Sequence, residues 1–457
     1  MKTTTGIRAC LYHLTCTVII TILLGWSQAA AQSIGGTDFS QGSNNNGNPA
    51  IKGDVVWIGS ILQQSNSEFY EGQSTLQRLF LMGIPTYTSS TGEYKLLLSH
   101  QATKGGIHAY DFITGYPEAV TTSEAIYSPT YNQPIDLCAN LGPKVSAAQC
   151  AALTGATAAY ATPPTPTEYG STVNSTVNDV YRVVGNWDLA NPNSRRVMLK
   201  SDDATITNAK LVFLQYSSGS DEYAEYELTW EATPNSATQT SYNLLILMGG
   251  HIAKSNNFIG DGYGPGLGAA SISGGPYHFK LNSVVLDPNG TPQTISLGSQ
   301  DNQLKGSDIY LPDPTCSIDG KDIVCPGSSN NEYTAQTDAP ISAVTFSWSI
   351  IGDGTIPGAT DGKSVNVTAG PSGSYTVSVV ITVSSGGKTA SSTCDASATI
   401  DRPSIAATVS DPLCDQSCDG SINVSASGGA GDYTYAWSNA ATTPSISNLC
   451  EGTYTVT

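Results

Sequence analysis

One short unit occurs twice in the last third of this chain, and it dictates β structure. Residues 345–349 read TFSWS and 434–438 read TYAWS; downstream, 373–378 read GSYTVS and 452–457 read GTYTVT. Each copy sets a tryptophan (Trp348, Trp437) on one segment and alternates Tyr with Val (Tyr375 and Val377; Tyr454 and Val456) on a later one. Side chains two apart on a strand share a face. The Trp and the Tyr–Val pair of each copy are therefore placed to fill one small sandwich core. Spacing from Trp to Tyr is 27 residues in the first copy and 17 in the second, so the second unit is shorter.

Upstream, apolar runs punctuated by Gly, Asn, Asp and Pro predict further strands at Asp54–Leu62, Leu76–Ile84, Tyr94–His100, Val180–Trp187, Lys210–Tyr216, Glu222–Glu231, Asn243–Met248 and Phe279–Leu286. Within Glu222–Glu231, Ala224, Tyr226, Leu228 and Trp230 take one face, and Tyr223, Glu225, Glu227, Thr229 and Glu231 the other. Such alternation marks a half-buried strand. Leu244–Met248 (LLILM) is apolar throughout, which places it at the centre of a core. The expected fold class is all-β: a large N-terminal sandwich-like domain followed by small Ig-like or PKD-like sandwiches in tandem.

Charge and export narrow the setting. Charged residues are 12% of the chain, about half the usual share, and net charge is −18. That balance argues against nucleic acid and against an anionic membrane surface as partners. Lys2 and Arg8, the apolar run 18–26 (VIITILLGW) and Ala29–Ala31 read as a cleaved signal peptide over 1–31. The run is shorter than the ~20 residues a membrane span requires. Eight cysteines follow it: Cys138, Cys150, Cys316, Cys325, Cys394, Cys414, Cys418 and Cys450. In an exported chain they favour disulfides over metal, with connectivity left open by sequence alone.

Residues 32–52, rich in Gly and Asn, form a flexible lead-in to a β-rich domain at 53–312. An insertion at about 128–176 holds a helix-like stretch (Ala147–Leu153), a Pro/Thr run, and Cys138 and Cys150, whose bridge would pin its base. Loops this long are usually functional or disordered. Two modules follow, at 313–402 and 403–457.

The second module carries a resemblance. Its DGSI start with an alternating strand, Gly-Gly, YTYAWS, a Thr-Thr turn and GTYTVT ending over Cys418–Thr457 resemble a SprB repeat, as found in large surface adhesins of gliding Bacteroidetes. That family's pattern runs on to a further Cys, so on this reading the chain is a fragment. Residues 313–402 resemble a PKD-like or Ig-like module: FSWSIIGDGT stands where PKD domains carry Trp-Asp-Phe-Gly-Asp-Gly, with the Trp-Asp-Phe part degraded, and SGSYTVSVVITVSSGG matches later strands. With these resemblances go the pairings Cys325–Cys394 and Cys418–Cys450, leaving Cys316 and Cys414 open, with Trp348, Trp437, Tyr375 and Tyr454 in the cores. They further imply adhesion, linked to gliding motility and type IX secretion.

Candidate chemistry lies upstream. His108 and Asp111 (GIHAYD) with His251 (GGH) form a candidate metal or acid–base set, but no H-E-x-x-H spacing supports it. His100 and His278 read as structural. The loop Gly260–Gly275 holds seven glycines but neither a following helix start nor Lys-Ser/Thr, so it reads as a surface loop at the rim of a binding site. Carboxylate pairs (Glu68 with Glu71, Asp111 with Glu118, Glu225 with Glu227) meet only the minimal requirement of a glycosidase. Acidic loops at Gly352–Thr355, Ala359–Gly362 and Ser201–Asp203 are eligible for structural calcium. No other cofactor is implied. Tyr outnumbers Phe by 23 to 8, and Tyr263 and Tyr223 are candidate binding residues.

These observations favour a surface adhesin that holds an extracellular glycan or protein surface rather than an enzyme, with secretion machinery as a further partner. A polysaccharide-degrading enzyme with 53–312 catalytic is the alternative. A structural surface-layer component is the third reading.

Overall fold

The computed structural model describes residues 33–44, 55–87, 92–125, 135–169, 180–255, 262–287, 292–339, 344–414, 417–429 and 431–457. The signal peptide expected over 1–31 lies outside them; of the lead-in expected to be flexible, 33–44 are described, and Gly36–Ser43 is a largely buried strand paired into the head rather than a linker. The described residues are mostly β-strand, in several sheets, with three short α-helices.

The head is a two-sheet sandwich. Its long strands are β1 (Gly36–Ser43), β2 (Ser74–Pro85), β3 (Gly92–Gln101), β4 (Tyr110–Gly115), β5 (Met198–Ser201), β6 (Ala204–Tyr216), β7 (Tyr223–Pro234), β8 (Ser241–Ile252), β9 (Tyr277–Asp287) and β10 (Gln293–Leu304). One sheet runs β1-β2-β8, with β5 and β4 both pairing β8 on its far side. The other runs β6-β7-β3-β9-β10. All ladders among these strands are antiparallel. Leu244, Ile246 and Met248 of β8 share one core with Leu96, Tyr226, Trp230 and Val284 of the second sheet. Across the layers, Trp230 Nε1 donates to Tyr242 Oη at 2.9 Å.

The other face of β8 explains its unbroken hydrophobicity. Leu245 and Leu247 pack, with Phe80, against Val145, Cys150 and Leu153 of the insertion. A strand covered on both faces has no polar alternation. The covering element is a helix, α2 (Ala147–Gly155), preceded in the chain by α1 (Tyr116–Ala125). A reciprocal capping box starts α2: Gln149 N donates to Ser146 Oγ at 3.3 Å, and Ser146 N to Gln149 Oε1 at 3.0 Å. Cys138 and Cys150 are joined. Replacing both with Ala is expected to cost up to about 3 kcal/mol of head stability, read as a lowered denaturant midpoint.

Val180–Trp187, expected as a strand, is instead part of a helix, α3 (Val180–Ala190). Its valines favour strands locally, but Val180, Val183, Val184 and Trp187 recur at 3-1-3 spacing and are all buried. Tertiary burial along that stripe overrides the β preference of the residues. The strand expected over Asp54–Leu62 shrinks to Val56–Ile58.

The second unit comprises β11 (Asn331–Gln336), β12 (Val344–Gly352), β13 (Ser364–Ala369), β14 (Gly373–Ser385) and β15 (Lys388–Ile400). One of its sheets contains β11-β13 and the other β15-β14-β12. Trp348 and Tyr375 are buried in its core with Tyr333, Val377 and Ile381. Trp348 Nε1 donates to Gly362 O at 2.8 Å.

Cys394 is bonded to Cys316, not to Cys325, which is free. The reason is register. Val324 lies opposite Ile400, so Cys325 falls beyond the end of β15. Seven residues of strand, roughly 23 Å, separate that level from Cys394, far beyond the reach of a disulfide.

In the third unit β16 (Ser404–Ser410), β17 (Gly420–Ser427) and β18 (Ser445–Leu449) form one sheet. Trp437 is buried with Val424, Ile446 and Leu449, whereas Tyr454, expected in the core, is only partly buried at its margin. Cys418 and Cys450 are joined, and Cys414 is free. In both repeated units the Trp segment pairs antiparallel with the Tyr–Val segment. Trp437 lies opposite Val456 and Trp348 opposite Val379. The registers differ by two residues, which keeps the Trp on the same face.

Candidate functional site

The residues nominated upstream do meet, but not in a cleft. A register shift between Gly250 and Ile252 sets His251 against β4. His251 Nδ1 donates to Asp111 Oδ1 at 2.7 Å, with both side chains at 0% exposure. Asp111 also accepts from Tyr263 Oη at 3.3 Å and from Phe112 N at 3.0 Å. His251 is stacked on Phe112 at 4.4 Å and edge-on to Trp187 at 4.6 Å. Burial and the Asp111 charge push the Tyr263 hydroxyl well up from its ordinary pKa.

His108 lies against Tyr263, its ring stacked at 3.6 Å, and His108, Asp111 and His251 are not grouped as a metal triad among the described residues. Among the described residues no three His, Cys, Asp or Glu side chains are grouped to hold a metal. In the acidic turn at Gly352–Thr355 the Asp353 carboxylate accepts from the backbone of a neighbouring loop, Ser372 N, at 3.2 Å. Tyr263 is itself buried at 1% exposure, which corrects its reading as an exposed contact residue. Tyr223 is half-buried on the outer face of the second sheet, with Lys280 Nζ over its ring at 4.4 Å.

The described part of the glycine-rich loop is packed rather than free, because Tyr263, Ala269 and Ala270 are core residues. At Gly268 a Cβ would stand 2.3 Å from Ser255 N and 2.6 Å from Glu71 Oε1, so only glycine fits.

That loop leads to the feature sequence reasoning missed. The β14–β15 hairpin reaches out of the second unit and rests on the head. Ser385 Oγ donates to Ser255 Oγ at 3.2 Å, is hydrogen-bonded to Ser271 Oγ at 2.7 Å, and accepts from Gly266 N at 3.0 Å. Lys388 Nζ donates to Gly306 O at 3.3 Å and to Ile309 O. Gly386, at φ +56°, would place a Cβ 2.4 Å from Ser271 Cα, so the hairpin tip can approach this closely only as glycine.

Beside this contact lies a groove of about 420 Å³, whose lining includes Tyr70, Glu71, Gln73, Asp313, Asp338 and Ser385. Tyr70 packs on Tyr310 at 5.5 Å. Glu71 is buried in its wall and accepts from Ser255 N at 2.6 Å, Ser255 Oγ at 2.8 Å and Ala270 N at 2.8 Å. Burial raises its pKa to about 7, against those hydrogen bonds and the Lys388 charge.

A raised carboxyl pKa makes the folded state hold a proton that the unfolded chain gives up near 4.5. The contribution is whole below about 4.5 and is lost as pH rises through about 7. Its size is on the order of 3 kcal/mol. Calorimetry from pH 4.5 to 8 should show this loss, and Glu71→Gln should flatten it.

Residues 406–442 match the SprB repeat family. The chain carries a SprB repeat. The match covers most of the third unit, hereafter the SprB module, from within β16 through the Trp437 segment. Among curated proteins nothing matches. Solved structures similar to the chain include the ectodomain of mouse nectin-like molecule 4, at 12% identity over 53% of this chain and 74% of that one, TM-score 0.16. Another is the BSP domain of a biofilm-associated protein, at 10% identity over 96% of this chain and 64% of that one, TM-score 0.20. The chain thus spans under two thirds of the biofilm protein's length, and similarities this low carry no argument. Among the described residues no helix is long and apolar enough to cross a membrane.

Proposed function

We propose that this is an adhesin-type binding protein displayed on or released from a cell surface, and that the groove between head and second unit holds its target. The SprB repeat supports the adhesin class. The groove carries the assignment of the site, because it sets the Tyr70 ring and three prolines (Pro265, Pro312, Pro314) beside carboxylates. Rings with one apolar face and one polar tip suit an extracellular glycan or protein surface. Export through a signal peptide at 1–31, by machinery of the type IX kind and in the service of gliding motility, belongs to the same proposal. The boundaries 53–312, 313–402 and 403–457 are its working domains, with β1 from the lead-in added to the head and the described part of the insertion at about 128–176 packed against it. Catalysis by Asp111 and His251 would require solvent to reach a pair at 0% exposure.

Binding of the exported chain to arrayed glycans and to intact cells tests the assignment. Tyr70→Ala and Asp313→Ala are each expected to weaken retention about tenfold. Retention unchanged in both would place the site elsewhere.

A further inference from the structure

We propose that the outer edge of β16 is a self-pairing surface, along which two copies of this chain join antiparallel about a two-fold axis at Ala407. β16 has a strand on one side only, β17, among the described residues. Residues lying opposite in an antiparallel pair share a face. Ile405, Ala407 and Val409 therefore continue the face formed by Ala426, Val424 and Ile422 of β17. That face is the core side: Val424 is 4% exposed, yet Ile405 is 49% exposed and Val409 59%. The apolar layer of the SprB module thus runs out past its own cover, and Leu413, just beyond the strand, is 86% exposed.

Edge strands are normally protected by charge, proline or bulges. In the head, edge strand β6 carries Lys210 and two register shifts along β7. Ser404–Ser410 has no charged residue, no proline and no glycine, and its ladder with β17 is unbroken over seven pairs. Such a segment is a template for another strand.

Its sequence names the partner. Ser-Ile-Ala-Ala-Thr-Val-Ser is nearly the same read backwards. In an antiparallel pair centred on Ala407, Ser404 faces Ser410 of the second copy, Ile405 faces Val409, Ala406 faces Thr408, and Ala407 faces itself. Ser meets Ser, a branched aliphatic meets a branched aliphatic and Ala407 meets itself, with the small Ala406–Thr408 pairs the one mismatch; this is the self-complementarity an isologous two-fold contact demands. The three-stranded sheet becomes six-stranded, and the two Ile405–Val409 pairs cover each other. Two heads per assembly would raise the avidity of any surface the protein holds. The inference does not depend on the junction groove.

Sedimentation velocity of the exported chain, across roughly 10–100 µM, reads the association directly. The expected result is a concentration-dependent dimer. Ala407→Lys and Ala407→Asp each set like charges directly opposite at the axis and should each lower the association constant at least about tenfold. A one-to-one mixture of the two variants should restore the dimer, which misfolded variants could not do. A wild-type chain that stays monomeric across the range overturns the proposal. So does a dimer that persists in either variant alone, or a mixture that remains monomeric while both variants keep the near-UV circular dichroism of wild type.

Discussion

Asp111→Ala is expected to destabilise the head by about 3–5 kcal/mol. The carboxylate gathers hydrogen bonds from His251 Nδ1, Tyr263 Oη and Phe112 N, and all three donor residues are buried. Each donor stranded in the core costs about 1–3 kcal/mol. The packed rings of Phe112 and Trp187 around His251 leave no polar substitute. Chemical denaturation followed by near-UV circular dichroism gives the measurement. A loss below about 1 kcal/mol would mean that the pair is hydrated, and a hydrated pair reopens a catalytic reading.

Arg78→Met is expected to cost a similar amount, about 3–5 kcal/mol, and to release the insertion. Arg78 is fully buried in β2. Its Nη1 donates to Leu137 O and Ala139 O at 2.8 Å each, and its Nε to Ser40 Oγ at 3.0 Å. Asp38 stands 3.8 Å away as counter-charge, and the Trp57 ring lies 4.7 Å from the guanidinium carbon. Burial lowers the Arg78 pKa to about 10. One cation thus ties the root of the insertion, beside Cys138, to the sheet that α2 covers. Methionine fills much of the volume but accepts and donates nothing useful, so the carbonyls of Leu137 and Ala139 are stranded. Hydrogen exchange should show faster exchange across 135–155 in the variant. Unchanged exchange there would mean that the disulfide alone holds the segment.

What could be read from the chain, and what could not, follows from the range of the interactions. Tyr223–Pro234 was legible because one face packs and the other meets solvent, and that difference is written as alternation. The burial of Leu244–Met248 was legible too, but not what covers it. The covering helix α2 was itself legible, as the helix-like stretch Ala147–Leu153, but nothing local says that it packs on this strand. Val180–Trp187 misled because valine's local preference is visible, whereas the surface its stripe packs on is not. Cys394 took Cys316 because strand register, absent from spacing, decides which sulfurs meet. His108, Asp111 and His251 were picked by residue type. Nothing in the order of residues said that Tyr263 would come between His108 and Asp111 and seal them in. The groove was invisible for the same reason, since its walls come from segments as distant as Tyr70, Pro314 and Ser385.

Retention without turnover is the centre of this account. Its most direct test is mass spectrometry of every glycan or protein that the exported chain retains, after prolonged incubation with it. Targets recovered bound and unshortened are the expected result. Shortened products, lost on Asp111→Asn while the variant remains folded, would contradict it.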